Sequence, residues 1–277
     1  MVQNFHLPPI GFGPGSQGDE GEALEYMPLP SGMRTYSTHL PEVEDTGPLA
    51  PALTLLARLA DACDDAAAGG AAQVFDLTGL DAANRALLAE TLGQGEVSVK
   101  MRGKPALAAQ ESVFAGVWTI SGADVQRIEV APIPQAAITR AHEAERPALL
   151  TLAPRAAGVV NAPALLAELI DHSARFCPGQ SPHVVNLTLL PHTPEDLDWL
   201  DAALGRGGVT LLSRGYGNCR ITATALAAVW RVQFYNSMDT LILDTFEVTT
   251  MPEVALAAVE DLSDSGERIR EVLEAIR

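Results

Sequence analysis

Leu92-Gly93-Gln94-Gly95-Glu96-Val97-Ser98-Val99 and Leu204-Gly205-Arg206-Gly207-Gly208-Val209-Thr210-Leu211 are two versions of one boundary, in which glycines end a helix and a β-branched run begins a strand. They lie 112 residues apart, and similar spacings, from 110 to 118 residues, hold on both sides. Upstream, Pro51-Ala52-Leu53 recurs as Pro163-Ala164-Leu165, and Val74-Phe75-Asp76-Leu77-Thr78 as Val184-Val185-Asn186-Leu187-Thr188. Downstream, Met101-Arg102-Gly103 lines up with Ser213-Arg214-Gly215, Ala115-Gly116-Val117-Trp118 with Ala227-Ala228-Val229-Trp230, and Ile128-Glu129-Val130 with Phe246-Glu247-Val248. The chain is therefore an internal duplication: a first copy over 49–145, a linker over 146–160 and a second copy over 161–277. Residues 1–48, rich in Gly and Pro and without periodicity, are expected to be extended.

Each copy reads as helix, strand, helix and then several strands. In the second, Thr193 is placed to cap a helix with Pro194 in its first turn, and Leu197, Leu200 and Leu204 form the apolar stripe. Arg220, Thr222 and Thr224 alternate with Ile221, Ala223 and Ala225. Trp230, Val232 and Phe234 make a core face, the reverse carrying Arg231, Gln233 and Tyr235. A hairpin turn over 236–239 leads to a return strand over 240–249, on which Leu241 and Leu243 are expected to share one face and Ile242 and Phe246 the other. Strands joined by short turns favour an antiparallel meander, so the expected class is α+β: two tandem small domains with packed helices. A closing helix carries Ile269, Val272, Leu273 and Ile276.

A formal net charge of -17 excludes general nucleic-acid binding, which needs clustered Lys and Arg. Both a steering role towards a basic partner and a plain solubility role remain open for that acidity. Three scattered cysteines, Cys63, Cys177 and Cys219, without a C-x-x-C pair fit a reducing compartment. With neither a leader-like start nor a membrane-length apolar run, a cytoplasmic protein without membrane insertion is expected.

The usual enzyme signatures are missing, and no catalytic residue is assigned. Gly11 to Gly18 resembles a dinucleotide fingerprint but lacks the flanking strand and helix. Gly103-Lys104 is followed by Pro105 instead of the hydroxyl of a phosphate loop. His172, Cys177, His183 and His192 match no zinc module and read as separate residues, so neither metal nor cofactor is expected. Cys219 sits between Arg214 and Arg220, cations that would favour a thiolate, but no base is placed beside it, and a buried cysteine at a strand start is the commoner arrangement. Arg214 occupies the place of Arg102 and could equally anchor a turn.

The second copy is the more elaborate. Its Tyr216-Gly217-Asn218-Cys219 turn replaces Lys104-Pro105-Ala106-Leu107, and its hairpin over 236–241 is longer than the one around Ser121-Gly122-Ala123-Asp124. Turns and hairpin tips are where binding groups are mounted at little cost to a scaffold. Arg214, Tyr216, Asn218, Cys219, Gln233, Tyr235, Asn236, Met238, Asp239, Leu241 and Leu243 are accordingly the candidate binding residues, with Tyr216 as aromatic anchor, Met238 as adaptable apolar contact and Asp239 as acidic one.

The stretch 213–221, continuing through Val229-Trp230-Arg231-Val232-Gln233-Phe234-Tyr235-Asn236-Ser237-Met238-Asp239-Thr240-Leu241-Ile242-Leu243, closely resembles the C-terminal region of the HupH, HoxQ and HyaF hydrogenase expression proteins. Pro252-Glu253-Val254 and Glu260-Asp261-Leu262 resemble that family's ending, and the likeness reaches back to Gly13-Pro14-Gly15-Ser16-Gln17. The resemblance implies a non-enzymatic maturation chaperone that binds the precursor of the iron-sulfur small subunit of a nickel-iron hydrogenase before twin-arginine export, together with other hydrogenase accessory proteins. The alternative is an iron or iron-sulfur carrier using Cys219, which would need three further ligands from a dimer or a client.

Overall fold

The computed structural model describes residues 46–214 and 218–276. The segment 1–45, including the glycine-rich stretch, and residues 215–217, including Tyr216, lie outside it.

The duplication appears as repeated element order. The first copy runs α1 (Ala50–Ala67), β1 (Gln73–Asp76), α2 (Ala82–Leu92), β2 (Val97–Met101), β3 (Leu107–Glu111), β4 (Val117–Gly122), β5 (Gln126–Val130) and the short α3 (Gln135–Thr139). The second runs α4 (Ala162–Arg175), β6 (His183–Asn186), α5 (Pro194–Leu204), β7 (Val209–Ser213), β8 (Asn218–Ala223), β9 (Val229–Tyr235) and β10 (Leu241–Val248), and α6 (Val259–Ile276) closes the chain. The class is α+β, with every described strand pair antiparallel.

The two meanders join into one ten-stranded sheet, β1-β5-β4-β3-β2-β7-β8-β9-β10-β6. The seam is the pairing of β2 with β7, where Val99 stands opposite Leu211, its equivalent in the other copy. The copies are thus related by a local twofold axis through that pair. Backbone contacts obey it: Arg102 N–H donates to Gly208 O, and Arg214 N–H donates to Glu96 O. Glu145 adds an ionic link, lying 2.8 Å from Arg102 of the first copy and 3.3 Å from Arg206 of the second.

Alternation along the strands separates two faces. On the back face, Val99, Met101, Leu107, Ala109, Leu211, Ile221, Trp230 and Val232 form one buried cluster, covered by Ile133, Ala137 and Ala141 around α3 and by Met251 and Ala255. Trp118 and Trp230 are both fully buried here, as their shared place in the repeat predicts, and their indole N–H groups donate to Ala131 O and Thr249 O. The other face carries a helical layer at each end. Helices α1, α2 and α6 cover Phe75, Val117, Ile128 and Val130, while α4 and α5 cover Val185, Val229, Phe246 and Val248. Among the described residues no helix covers the sheet between these layers, where it presents exposed Lys100 and Arg220 and half-buried Ser98, Gln110, Thr210, Thr222 and Gln233.

Helix ends repeat as well. Gly93 and Gly205 terminate α2 and α5 with φ of 53° and 64°, a region in which a side chain is strained. The predicted cap at Thr193 is a full capping box with Asp196. Asp196, completely buried, also accepts N–H donors from Val160, Asn161 and Ala162 at the start of α4. Burial alone would raise its pKa, but the N–H groups of Ala162, Thr193, Val160 and Asn161 bring it down to about 2. In the first copy Asn84 does the same job, accepting from Ala52 N–H and donating to Pro48 O.

The segment 146–160, read from sequence as a linker, contains the turn Leu150–Leu152 and places Ala153 and Val159 in the apolar core beneath α4 and α5. The closing helix α6 does carry Ile269, Val272, Leu273 and Ile276 as its buried stripe, yet it packs against α1 of the first copy.

Candidate functional site

The elaborated elements of the second copy gather at one edge of the sheet. Strands β9 and β10 form a hairpin whose tip is ordered by Asn236: its side-chain oxygen accepts from Met238 N–H and Thr240 N–H, and its backbone N–H donates to Thr240 O. Asp239 sits at φ 56°, a left-handed conformation that Asp tolerates better than most residues, and accepts from the Asn218 side chain at 3.2 Å. The tip is therefore tied to the start of β8. Three of the candidates, Asn218, Asn236 and Asp239, are brought together, and Met238 projects beside them, 82% exposed.

Register corrects one expectation. A bulge between Leu241 and Leu243 sets Leu241 opposite Tyr235 and Leu243 opposite Phe234, neighbours that face opposite sides of the sheet. Leu241 and Leu243 therefore do not share a face. Leu241 and Ile242 are exposed, and Leu243 is half-buried.

Among the described residues, this stretch is also an open edge. Strand β6 pairs with β10 only from Thr245 to Val248. Beyond it the chain turns through Leu187–Leu189, and the Thr188 hydroxyl accepts from Asp244 N–H. Leu189, next to that contact, is 80% exposed. Sequence reasoning missed Leu189, since a leucine in an apolar-rich run carries no sign that it faces solvent.

Other candidates have internal partners. Gln233 donates to Asp244, which also takes a two-pronged bond from Arg231 at 2.9 and 2.6 Å. Tyr235 lies under the Arg220 guanidinium at 5.7 Å. Arg214 is exposed. Cys219 points into the back-face cluster and is 4% exposed; burial, with the charge of Glu247 adding to it, pushes its thiol up to about 11. The arginines that flank it in sequence leave it a protonated core thiol, because strand alternation turns Arg220 to the opposite face. Cys219 thus cannot contribute to a surface as this sheet is built.

Beside the hairpin, the open sheet face contains a polar depression of about 480 Å³, lined by Arg146, Arg206, Arg220 and Arg231 with Glu145 and Asp201 among its walls. Arg146 bonds Asp201 at 2.6 Å, Arg206 lies near Glu145 and Arg231 is held by Asp244, so most of this positive charge is neutralised locally. A separate, mainly apolar groove of about 510 Å³ lies between α4, Trp199 of α5 and the segment carrying Thr151, Ala153 and Arg155. Among the described residues, no helix is long and apolar enough to cross a membrane.

The sequence matches the C-terminal conserved region of the HupH hydrogenase expression protein twice, over residues 49–151 and 159–276. It is 67% identical over 277 residues to the hydrogenase expression/formation protein HupH of Rhodobacter capsulatus, covering 100% of both chains. It is 44% identical over 278 residues to HoxQ of Cupriavidus necator, covering 99% of this chain and 98% of that one. It is 32% identical over 212 residues to the hydrogenase-1 operon protein HyaF of Escherichia coli, covering 74% of each. A solved structure of a HupH from Thiobacillus denitrificans aligns with 42% of this chain and 94% of its own, at 30% identity and a TM-score of 0.38. With the repeated unit matched in both halves and full-length relatives on either side of half identity, the chain belongs to the HupH/HoxQ family of hydrogenase expression/formation proteins.

Proposed function

We propose that this protein is a non-enzymatic maturation factor for a nickel-iron hydrogenase, binding the precursor of the iron-sulfur small subunit in the cytoplasm before twin-arginine export. The observation that carries the binding part is the β9–β10 edge, where Met238, Leu241, Ile242 and Leu189 are exposed beside an unpaired length of strand. Such an edge offers backbone hydrogen bonds to an extended segment, and its apolar side chains supply contact area. An export signal is both apolar and basic, and the net charge of -17 complements the second property. The family names of the relatives support the hydrogenase assignment.

The iron or iron-sulfur carrier reading was built on Cys219, which is buried with a raised pKa, and the exposed cysteine, Cys177, supplies one thiol where a cluster needs several ligands. Co-purification tests the proposal: tagged full-length protein, expressed with the small-subunit precursor, should retain it when the signal is intact and lose it when the signal is deleted. Equal recovery of both forms, or of neither, would overturn this assignment.

A further inference from the structure

The structure assigns a second feature that client binding does not use: we propose that Glu168, His172 and His183 form a binding site for a divalent transition cation such as Zn²⁺. Glu168 and His172 lie one turn apart on α4, and His183 opens β6 after the chain reverses. His183 Nε2 is 2.8 Å from Glu168 Oε1, and the two imidazoles lie face to face with centroids 3.4 Å apart and planes 3° from parallel. One donor atom from each of the three residues falls within 4.8 Å of the others. Sequence spacing did not single out this set, Glu168 least of all, because the seven residues between Arg175 and His183 have no fixed geometry of their own. Of the four residues weighed as ligands on spacing, His172 and His183 meet, while Cys177 and His192 are outside the group.

The backbone that carries these groups is fixed independently of any ion. Leu165, Leu166 and Leu169 anchor α4 in the core, and His183 is paired with Val248. Ligands mounted on a helix and a strand end are held more firmly than ligands on a loop. The neighbouring cation does not compete for the carboxylate, since Arg175 is engaged by Asp171 at 2.7 Å. Two imidazole nitrogens and one carboxylate oxygen are the donor set of three-ligand zinc sites, whereas calcium and magnesium prefer oxygen alone. In the stacked arrangement the rings are parallel, so convergence of their lone pairs on one ion requires a turn of one half-buried imidazole about its Cβ–Cγ bond, a broad and soft torsion. Three protein ligands leave room for a water or for a donor from a bound partner.

The test uses the full-length protein and Zn²⁺ alone, in competition with a chromophoric chelator. About one equivalent should be held, His172→Ala and His183→Ala should each weaken binding by about tenfold or more, and Cys177→Ala should leave it unchanged. X-ray absorption on the wild-type protein should show nitrogen and oxygen neighbours with imidazole scattering and no sulfur. Zn²⁺ should raise the unfolding temperature of the wild type and not of either histidine variant. Failure to hold Zn²⁺, affinity unchanged in both histidine variants, or sulfur in the coordination shell would each overturn the proposal. None of these readouts depends on hydrogenase maturation.

Discussion

At the scale of single residues, the groups that matter are buried polar ones that composition does not mark. Asn84 and Asp196 are equivalent positions holding equivalent helix starts, one with an amide and one with a carboxylate. Glu111, at the end of β3, is the more consequential. Burial pushes its carboxyl up to about 7, against the bond from Gly116 N–H, and the charges of Asp261 and Glu96 push it further in the same direction. An acid whose folded pKa lies above its unfolded value binds more protons in the native state, so its contribution favours folding below about 4.5 and is lost as pH rises towards 7. Glu111→Gln keeps the acceptor for Gly116 and removes the charge. It should stabilise the protein by roughly 1–2 kcal/mol at pH 8 and change little at pH 4, read from urea unfolding at the two pH values. A stabilisation equal at both pH values would show that ionisation of Glu111 is not the cause.

At the scale of elements, much was legible and one kind of feature was not. The cap at Thr193, the glycine stop at Gly205, the alternation of β8 and the core face of Trp230 and Val232 are local patterns, and all are present in the structure. The bulge in β10 is a one-residue irregularity with no compositional signature, and it redirected Leu241 relative to Leu243. A buried Cys219 at a strand start was the commoner sequence reading, and it is what the alternation of β8 produces. The hairpin itself yields a prediction. Alanine at 239 would strain the positive φ, so asparagine is the better probe. Met238→Ser combined with Asp239→Asn should weaken capture of the small-subunit precursor by about 1 kcal/mol or more, roughly fivefold, with an unchanged thermal midpoint. The changes Ala123→Ser and Asp124→Asn, at the shorter hairpin of the first copy, should do much less. Equal losses from both pairs, measured by titrating the precursor, would move the site away from the hairpin.

At the scale of the whole molecule, the repeat announced itself in the sequence, but its assembly did not, because the pairing of β2 with β7 is a choice between distant partners that no local pattern records. The same applies to α6, which belongs to the second copy in sequence and covers Leu56, Leu59 and Cys63 of the first. Truncation after residue 258 should therefore unfold the first copy preferentially. Hydrogen exchange should report lost protection in α1 and α2, with β8 and β9 retaining theirs, whereas loss confined to the second copy would contradict this packing.

The return of α6 also orders events during synthesis. A ribosome releases the chain from its N-terminus, so α1 emerges more than two hundred residues before the helix that buries its apolar stripe. Until the last turns leave the exit tunnel, a protein whose proposed task is to shelter an unfinished subunit is itself unfinished, with the Leu56 and Leu59 face of its own first helix in need of shelter.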